Sequence, residues 1–233
     1  MIGLTVIIVT LGKRKESLLT LLTQLQAQTL PKERWQLIVW QKTTEDMNEY
    51  DQMNKALLKT RFNRPDDVFI TLGDDCEARE EDFLEKGLSF FEDDPHILVQ
   101  TVCVTGNMWG DGWHRDERPM LAQGTSLWVR YGAWKEVGGF EVDWGLGIKM
   151  KGWRADSGML YAIIDKFGFS TYRNTPEVTV YHPGQAVSPW EPLGEREFWR
   201  KYKRHMAGYM LPIDPRLAQM VVASGETDPE YVA

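Results

Sequence analysis

The stretch that decides the fold is Val68-Phe69-Ile70-Thr71-Leu72-Gly73-Asp74-Asp75-Cys76. An apolar run with one Thr, then a glycine, then two adjacent carboxylates, reads as a buried strand that ends in a polar turn. Asp74 and Asp75 are thereby placed at a strand's carboxyl end. In an open α/β sheet that is where ligands bind, and two carboxylates there can hold a hard cation that neutralises phosphates. Gly-Asp-Asp is also ordinary turn chemistry, and taken alone the stretch reads first as structure.

On the amino-terminal side, Leu4 to Thr10 predicts a strand with a near-continuous apolar face, as when helices cover both sides of a sheet. After a turn at Gly12-Lys13-Arg14-Lys15, the helix Glu16 to Gln28 brings Leu18, Leu21, Leu22 and Leu25 to one side, and Pro31 bars its continuation. Trp35 to Trp40 is the next strand, which makes a βαβ unit with parallel strands. A second helix is expected over Asp46 to Lys59, capped by Asp46, with Met53, Ala56 and Leu57 inward.

On the carboxyl side, Glu80 to Phe91 predicts a helix burying Phe83, Leu84, Gly87, Leu88 and Phe91. A strand over Ile97 to Val104 completes an alternating strand and helix order typical of a nucleotide-binding half. Gly106 to Pro119 has no period and reads as a long functional loop. A strand over Gln123 to Val129, a short helix from Tyr131 to Val137 and a second irregular stretch from Phe140 to Arg154 follow. Asp156 precedes a helix at Ser157 to Phe167 that Gly168 stops. Thr175 to His182 is the last strand, and Gly194 to Met210 a last helix.

Composition narrows the function classes. The chain of 233 residues is long enough for one α/β domain with elaborations. A net charge of −7 argues against a nucleic-acid binder, and an acidic protein that handles phosphates would want a metal. Cys76 and Cys103 have no paired spacing, which points to neither a disulfide framework nor a zinc site; a reducing, cytoplasmic setting is the simplest. No apolar run has the length of a membrane span.

Three places carry candidate chemistry. Asp75 is read as a metal ligand, with a solvated turn carboxylate as the alternative; Asp74 is read as a ribose contact or a partner to a metal-bound water. Asp156 reads as a general base or as a helix cap, roles that do not exclude each other. His182 shares strand parity with Val178 and Val180, and Pro183-Gly184 ends the strand there, so its imidazole is either satisfied inside or offered to a metal. Of the ten Trp, Trp109, Trp113 and Trp144 lie in the irregular stretches and are the candidate acceptor contacts, because an indole can stack on a sugar face. The last helix sets Arg196, Arg200, Lys201, Lys203 and Arg204 beside Phe198, Trp199 and Tyr202. A solvated basic face is expected there, with peripheral membrane contact as the alternative.

These pieces, in this order, resemble family 2 and related glycosyltransferases of the GT-A fold. T-V-I-I-V-T with L-L-T-L-L-T-Q-L-Q-A-Q-T resembles their first strand and helix, L-I-V-W the second strand, and F-I-T-L-G-D-D-C the strand leading to their acidic motif. G-T-S-L-W-V-R-Y-G-A-W-K-E-V-G-G-F is similar to the acceptor-side segment, W-R-A-D-S-G-M-L-Y-A-I-I-D-K-F-G to the later acidic helix start, and V-T-V-Y-H-P to the strand bearing a metal-binding His. The resemblance spans roughly residues 4 to 183.

It implies a GT-A-like single α/β domain, with a mainly parallel central sheet flanked by helices and a Rossmann-like first half. The expected domain runs over 1–211, with a nucleotide-binding half at 1–105, an acceptor-side half at 106–193 and a helix at 194–211, before a tail at 212–233. It further implies metal-dependent transfer of a sugar from a nucleotide-sugar donor to a glycan, lipid-linked or small-molecule acceptor, by inversion. Thr10, Leu11, Gln41, Asp74 and Asp75 would contact the donor, Asp75 and His182 would hold Mn2+ or Mg2+, and Asp156 would be the base. Gln41 stands where the family usually has an Asp to hold the nucleobase, Gly73 at the first acidic position of the common motif, Ala155 where an acidic neighbour of Asp156 is frequent, and Met53 where an Arg often precedes Asn54. These departures keep a non-catalytic nucleotide- or glycan-binding domain in view. A sugar-phosphate nucleotidyltransferase is the other alternative, faintly imitated by Gly12-Lys13-Arg14.

Overall fold

The computed structural model describes residues 1–43, 48–106, 127–141 and 155–183. Expectations at Asp46, Trp109, Trp113, Trp144 and the helix from Gly194 lie outside the described residues. The strands are β1 (Leu4–Thr10), β2 (Trp35–Gln41), β3 (Val68–Gly73), β4 (Val99–Thr105), β5 (Leu127–Arg130) and β6 (Tyr172–Tyr181). The helices are α1 (Lys15–Gln26), α2 (Glu49–Leu57), α3 (Phe83–Asp93), α4 (Tyr131–Glu136) and α5 (Ala155–Phe167).

Among the described residues the strands form a six-stranded sheet in the order β2-β1-β3-β5-β4-β6. Pairings β1 with β2, β1 with β3 and β4 with β6 are parallel, and β5 is antiparallel to both β3 and β4. The sheet is therefore mainly parallel, as expected, with one reversed strand at its centre. Every other strand delivers its carboxyl end to the same edge.

Alternation along the strands feeds two apolar layers. Leu4, Val6, Ile8, Val68, Ile70 and Leu72 meet Leu21 and Leu25 of α1 and the whole inner stripe of α3. Ile7, Val9 and Phe69 meet Met53, Ala56 and Leu57 of α2, Trp134 of α4 and Met159, Leu160, Ile163 and Ile164 of α5. In α3 the buried stripe includes Gly87, where a Cβ would collide with the indole of Trp128 from β5. Among the described residues no helix is long and apolar enough to cross a membrane.

The differences from expectation are local. The cap of α2 is Asn48, whose side chain accepts from the backbone N–H groups of Tyr50 and Asp51, so two amides of the first turn are satisfied by a residue closer than Asp46. Strand β6 begins three residues before Thr175, at Tyr172. Its register against β4 jumps from Val102–Thr175 to Cys103–Thr179. That break falls at Pro176, which has no N–H to give a ladder and is tolerated on an edge strand. Helix α5 starts at Ala155, which puts Asp156 inside the first turn rather than ahead of it.

Candidate active site

The chain ends of β1, β3 and β6 meet at the shared carboxyl edge. Thr10, the last residue of β1, donates its hydroxyl to Asp74 Oδ2 at 2.6 Å and accepts the Gly12 amide at 2.8 Å. That pair of bonds folds the loop after β1 back onto the loop after β3. The turn needs glycine, since Gly12 has φ of 72°. Leu11 lies in this loop and is partly buried, and Gln41 ends β2 directly opposite Thr10.

Asp74 and Asp75 are both buried to 9% exposure, which is unusual for adjacent turn carboxylates. Arg14 supplies the compensating charge: its Nη1 is 3.1 Å from Asp74 Oδ1 and 2.6 Å from Asp75 Oδ2. From the other side, His182 Nε2 lies 3.5 Å from Asp75 Oδ1. His182 is fixed through its backbone, whose N–H continues the β4–β6 ladder to Thr105 O at 2.9 Å. The segment after β3 is in turn pinned to β6 by a two-way backbone bridge between Glu77 and Tyr181, at 2.8 and 2.9 Å.

The imidazole of His182 is thus partly open and turned towards Asp75, not sealed in the core as strand parity alone would have it. One carboxylate oxygen of Asp75, the thiol of Cys76 and an imidazole nitrogen of His182 lie within 4.8 Å of one another. A carboxylate and an imidazole suit Mn2+ or a neighbouring divalent ion, and the thiol adds a softer donor. The donor set of Asp75, Cys76 and His182 fits a divalent cation.

Asp156, also buried to 9% exposure, comes from the opposite helical layer. Its Oδ1 accepts the Ser157 amide at 2.7 Å, which holds a carboxylate against the positive end of α5. Asp156 and the carboxylates of the β3 turn all act electrostatically on Glu49 at the start of α2. Burial raises the Glu49 carboxyl above the ordinary carboxylate range, Lys42 opposes the shift, and Asp74, Asp156 and Asp75 add to it. Glu49 as a whole is exposed, so solvent screens much of this effect.

Of the expected site residues, Thr10, Asp74, Asp75 and His182 are brought into direct contact, Gln41 and Leu11 flank them, and Asp156 acts with the two carboxylates on Glu49. Arg14 and Glu49 were not singled out from sequence as site residues. Both had a legible signal, because each opens a helix directly after a parallel strand, at the edge where such a sheet gathers its ligands.

No family model and no curated protein sequence matches the chain. Solved structures do resemble it. A mannosyltransferase from Pyrobaculum calidifontis, in complex with GDP-Man and Mn2+, superposes with a TM-score of 0.63 at 15% identity, over 98% of this chain and 72% of that one. S. aureus TarS matches with a TM-score of 0.59 at 13% identity, over 91% of this chain and 45% of its own, so the chain spans less than half of that protein. TarS 1-349 in complex with UDP-GlcNAc gives 0.62 at 13% identity, over 94% and 69%. At these identities the likeness is one of fold: the chain has the GT-A-like α/β architecture of these proteins.

Proposed function

We propose that the chain is a glycosyltransferase that moves a sugar from a nucleotide-sugar donor to an acceptor hydroxyl, assisted by a divalent cation. The observation that carries this reading is the meeting of Thr10, Asp74, Asp75 and His182 at the carboxyl edge of β1, β3 and β6, with Asp156 acting alongside the two carboxylates on Glu49. The solved structures of like fold, one titled with GDP-Man and Mn2+ and one with UDP-GlcNAc, support the substrate class.

The roles follow from the chemistry of each group. Thr10, Leu11 and Gln41 line the donor's nucleotide end, and Asp74 is held for a ribose hydroxyl or for water. Asp75 and His182 hold the cation, which when bound neutralises charge on the departing nucleoside diphosphate. Asp156 takes the proton of the acceptor hydroxyl as that oxygen attacks the anomeric carbon. The bond from that carbon to the diphosphate breaks, and the diphosphate leaves with the electron pair, so configuration inverts. Glycans, lipid-linked sugars and small hydroxylated molecules are the acceptor classes.

Donor hydrolysis and transfer with Mn2+ test the proposal, using UDP- and GDP-sugars. Wild type is expected to turn over one of them, and Asp156→Ala to lose roughly 10²- to 10⁴-fold in rate, the usual worth of a positioned base. No turnover by the wild type would leave a binding domain in place of an enzyme. An Asp156→Ala variant as fast as wild type would remove Asp156 as the base.

A further inference from the structure

We propose that Arg14 is a built-in counter-ion that competes with the divalent cation for Asp75 and passes to the diphosphate of a bound nucleotide. The phosphate half of this inference rests on the transferase reading; the competition for Asp75 does not.

Each carboxylate of the pair has one oxygen on a partner fixed by the fold and the other on Arg14. Asp74 Oδ2 takes the Thr10 hydroxyl at 2.6 Å and Asp75 Oδ1 faces His182 at 3.5 Å, while Asp74 Oδ1 and Asp75 Oδ2 share the single Nη1 of Arg14. The carboxylate side chains are only 12% and 10% exposed, whereas that of Arg14 is 47% exposed. The guanidinium therefore reaches in from the open side.

Its backbone is anchored, since Arg14 O accepts the Leu18 amide at 2.9 Å at the start of α1. The long side chain can still swing without disturbing that anchor. A guanidinium cannot shed its charge, so a divalent ion settling on Asp75 meets a like charge that must be overcome or moved. A diphosphate offers the oxygen geometry a guanidinium fork matches best. Arg14 thus converts from the pair's internal cation to a phosphate contact.

The test uses the full chain with Arg14→Gln and Arg14→Lys. Mn2+ binding alone, read by paramagnetic resonance of the free ion, is expected to tighten about tenfold in Arg14→Gln, as removal of a nearby like charge would give. Arg14→Lys, which keeps the charge, stays near wild type. UDP or GDP binding in EDTA, read by calorimetry, moves the other way and weakens about tenfold in Arg14→Gln. Unchanged or weaker Mn2+ binding in Arg14→Gln overturns the competition, as does equal tightening in both variants. If neither nucleotide binds wild type with or without Mn2+, the transferase reading falls and takes the phosphate half with it, while the Mn2+ result still decides the competition.

Discussion

Two acidic pairs flank the same strand, and they have opposite characters. Asp66-Asp67 precedes β3 and Asp74-Asp75 follows it. Asp67 is 1% exposed and fully engaged: Oδ1 accepts from Gly3 N at 2.8 Å and Arg64 Nη2 at 2.7 Å, and Oδ2 from Arg64 N at 2.9 Å and Arg64 Nε at 3.2 Å. Burial works to raise its carboxyl, and the bonds from Arg64 and Gly3 outweigh burial and hold it below the usual range. At the other end two carboxylates divide one guanidinium, beside two more acids and an imidazole. Backbone amides and a local arginine make Asp67 a structural brace, while the Asp66 carboxylate beside it is 81% exposed. The second pair faces groups that can exchange partners.

The largest expected effect breaks the functional end. Asp75→Asn should abolish Mn2+ binding at this edge and lower any donor turnover on the order of a hundredfold or more. Its thermal stability should stay at or slightly above wild type, because a charge is removed from a crowded acidic field. If Asp75→Asn instead unfolds the protein, the two pairs are alike and the contrast is lost.

The structural end should behave inversely. Asp67→Ala strips four hydrogen bonds from a buried carboxylate and is expected to cost about 3 kcal/mol by denaturant melts, with turnover per folded molecule unchanged. Because the folded carboxyl is held low, its stabilisation is present above the ordinary carboxylate pKa and is lost as pH falls through the folded value. The wild-type advantage over Asp67→Ala should therefore shrink on acidification.

A third variant sharpens the comparison from outside both pairs. Arg130, 2% exposed, donates to Ile97 O at 2.7 Å, Asp66 O at 2.9 Å and Phe91 O at 2.7 Å, tying β5 to the start of β3 and the end of α3. Arg130→Met leaves those carbonyls without their donor and should cost about 2 kcal/mol in the same melts. Mn2+ affinity should not move.

Much of this was legible before any coordinates, and the reason is periodicity. The stripe Phe83, Leu84, Gly87, Leu88 and Phe91 and the strand Leu4–Thr10 are set by local pattern, and the structure places them as read. The gathering of Thr10, Asp74, Asp75 and His182 at one edge of the sheet was legible because strand ends carry them. What was hidden depends on contacts far apart in the chain. Two Asp-Asp pairs six residues apart differ only in which end of a parallel strand they occupy. Arg14 meets its carboxylates across 60 and 61 positions, and Arg130 finds the carbonyls of Asp66, Phe91, Asp94 and Ile97. The reversed strand β5 likewise follows from pairing, because a short apolar run does not state its direction.

The smallest effect tests whether Glu49 belongs to the functional pair. Its carboxyl is raised, first by burial and then by Asp74, Asp156 and Asp75, so its ionised form is less welcome in the fold than in the unfolded chain. The sign follows from linkage: its contribution is fully present below the ordinary carboxylate pKa and is lost as pH rises through the raised folded value. Glu49→Gln, which cannot ionise, should melt slightly above wild type at neutral pH in EDTA, a gap that solvent screening keeps small because the residue is exposed, and the gap should close near pH 4. In the Asp75→Asn background the gap at neutral pH should narrow, since one of the charges that oppose Glu49 has gone. A gap that is independent of pH, or indifferent to Asp75, would detach Glu49 from the acidic edge and leave it as a residue of the α2 surface.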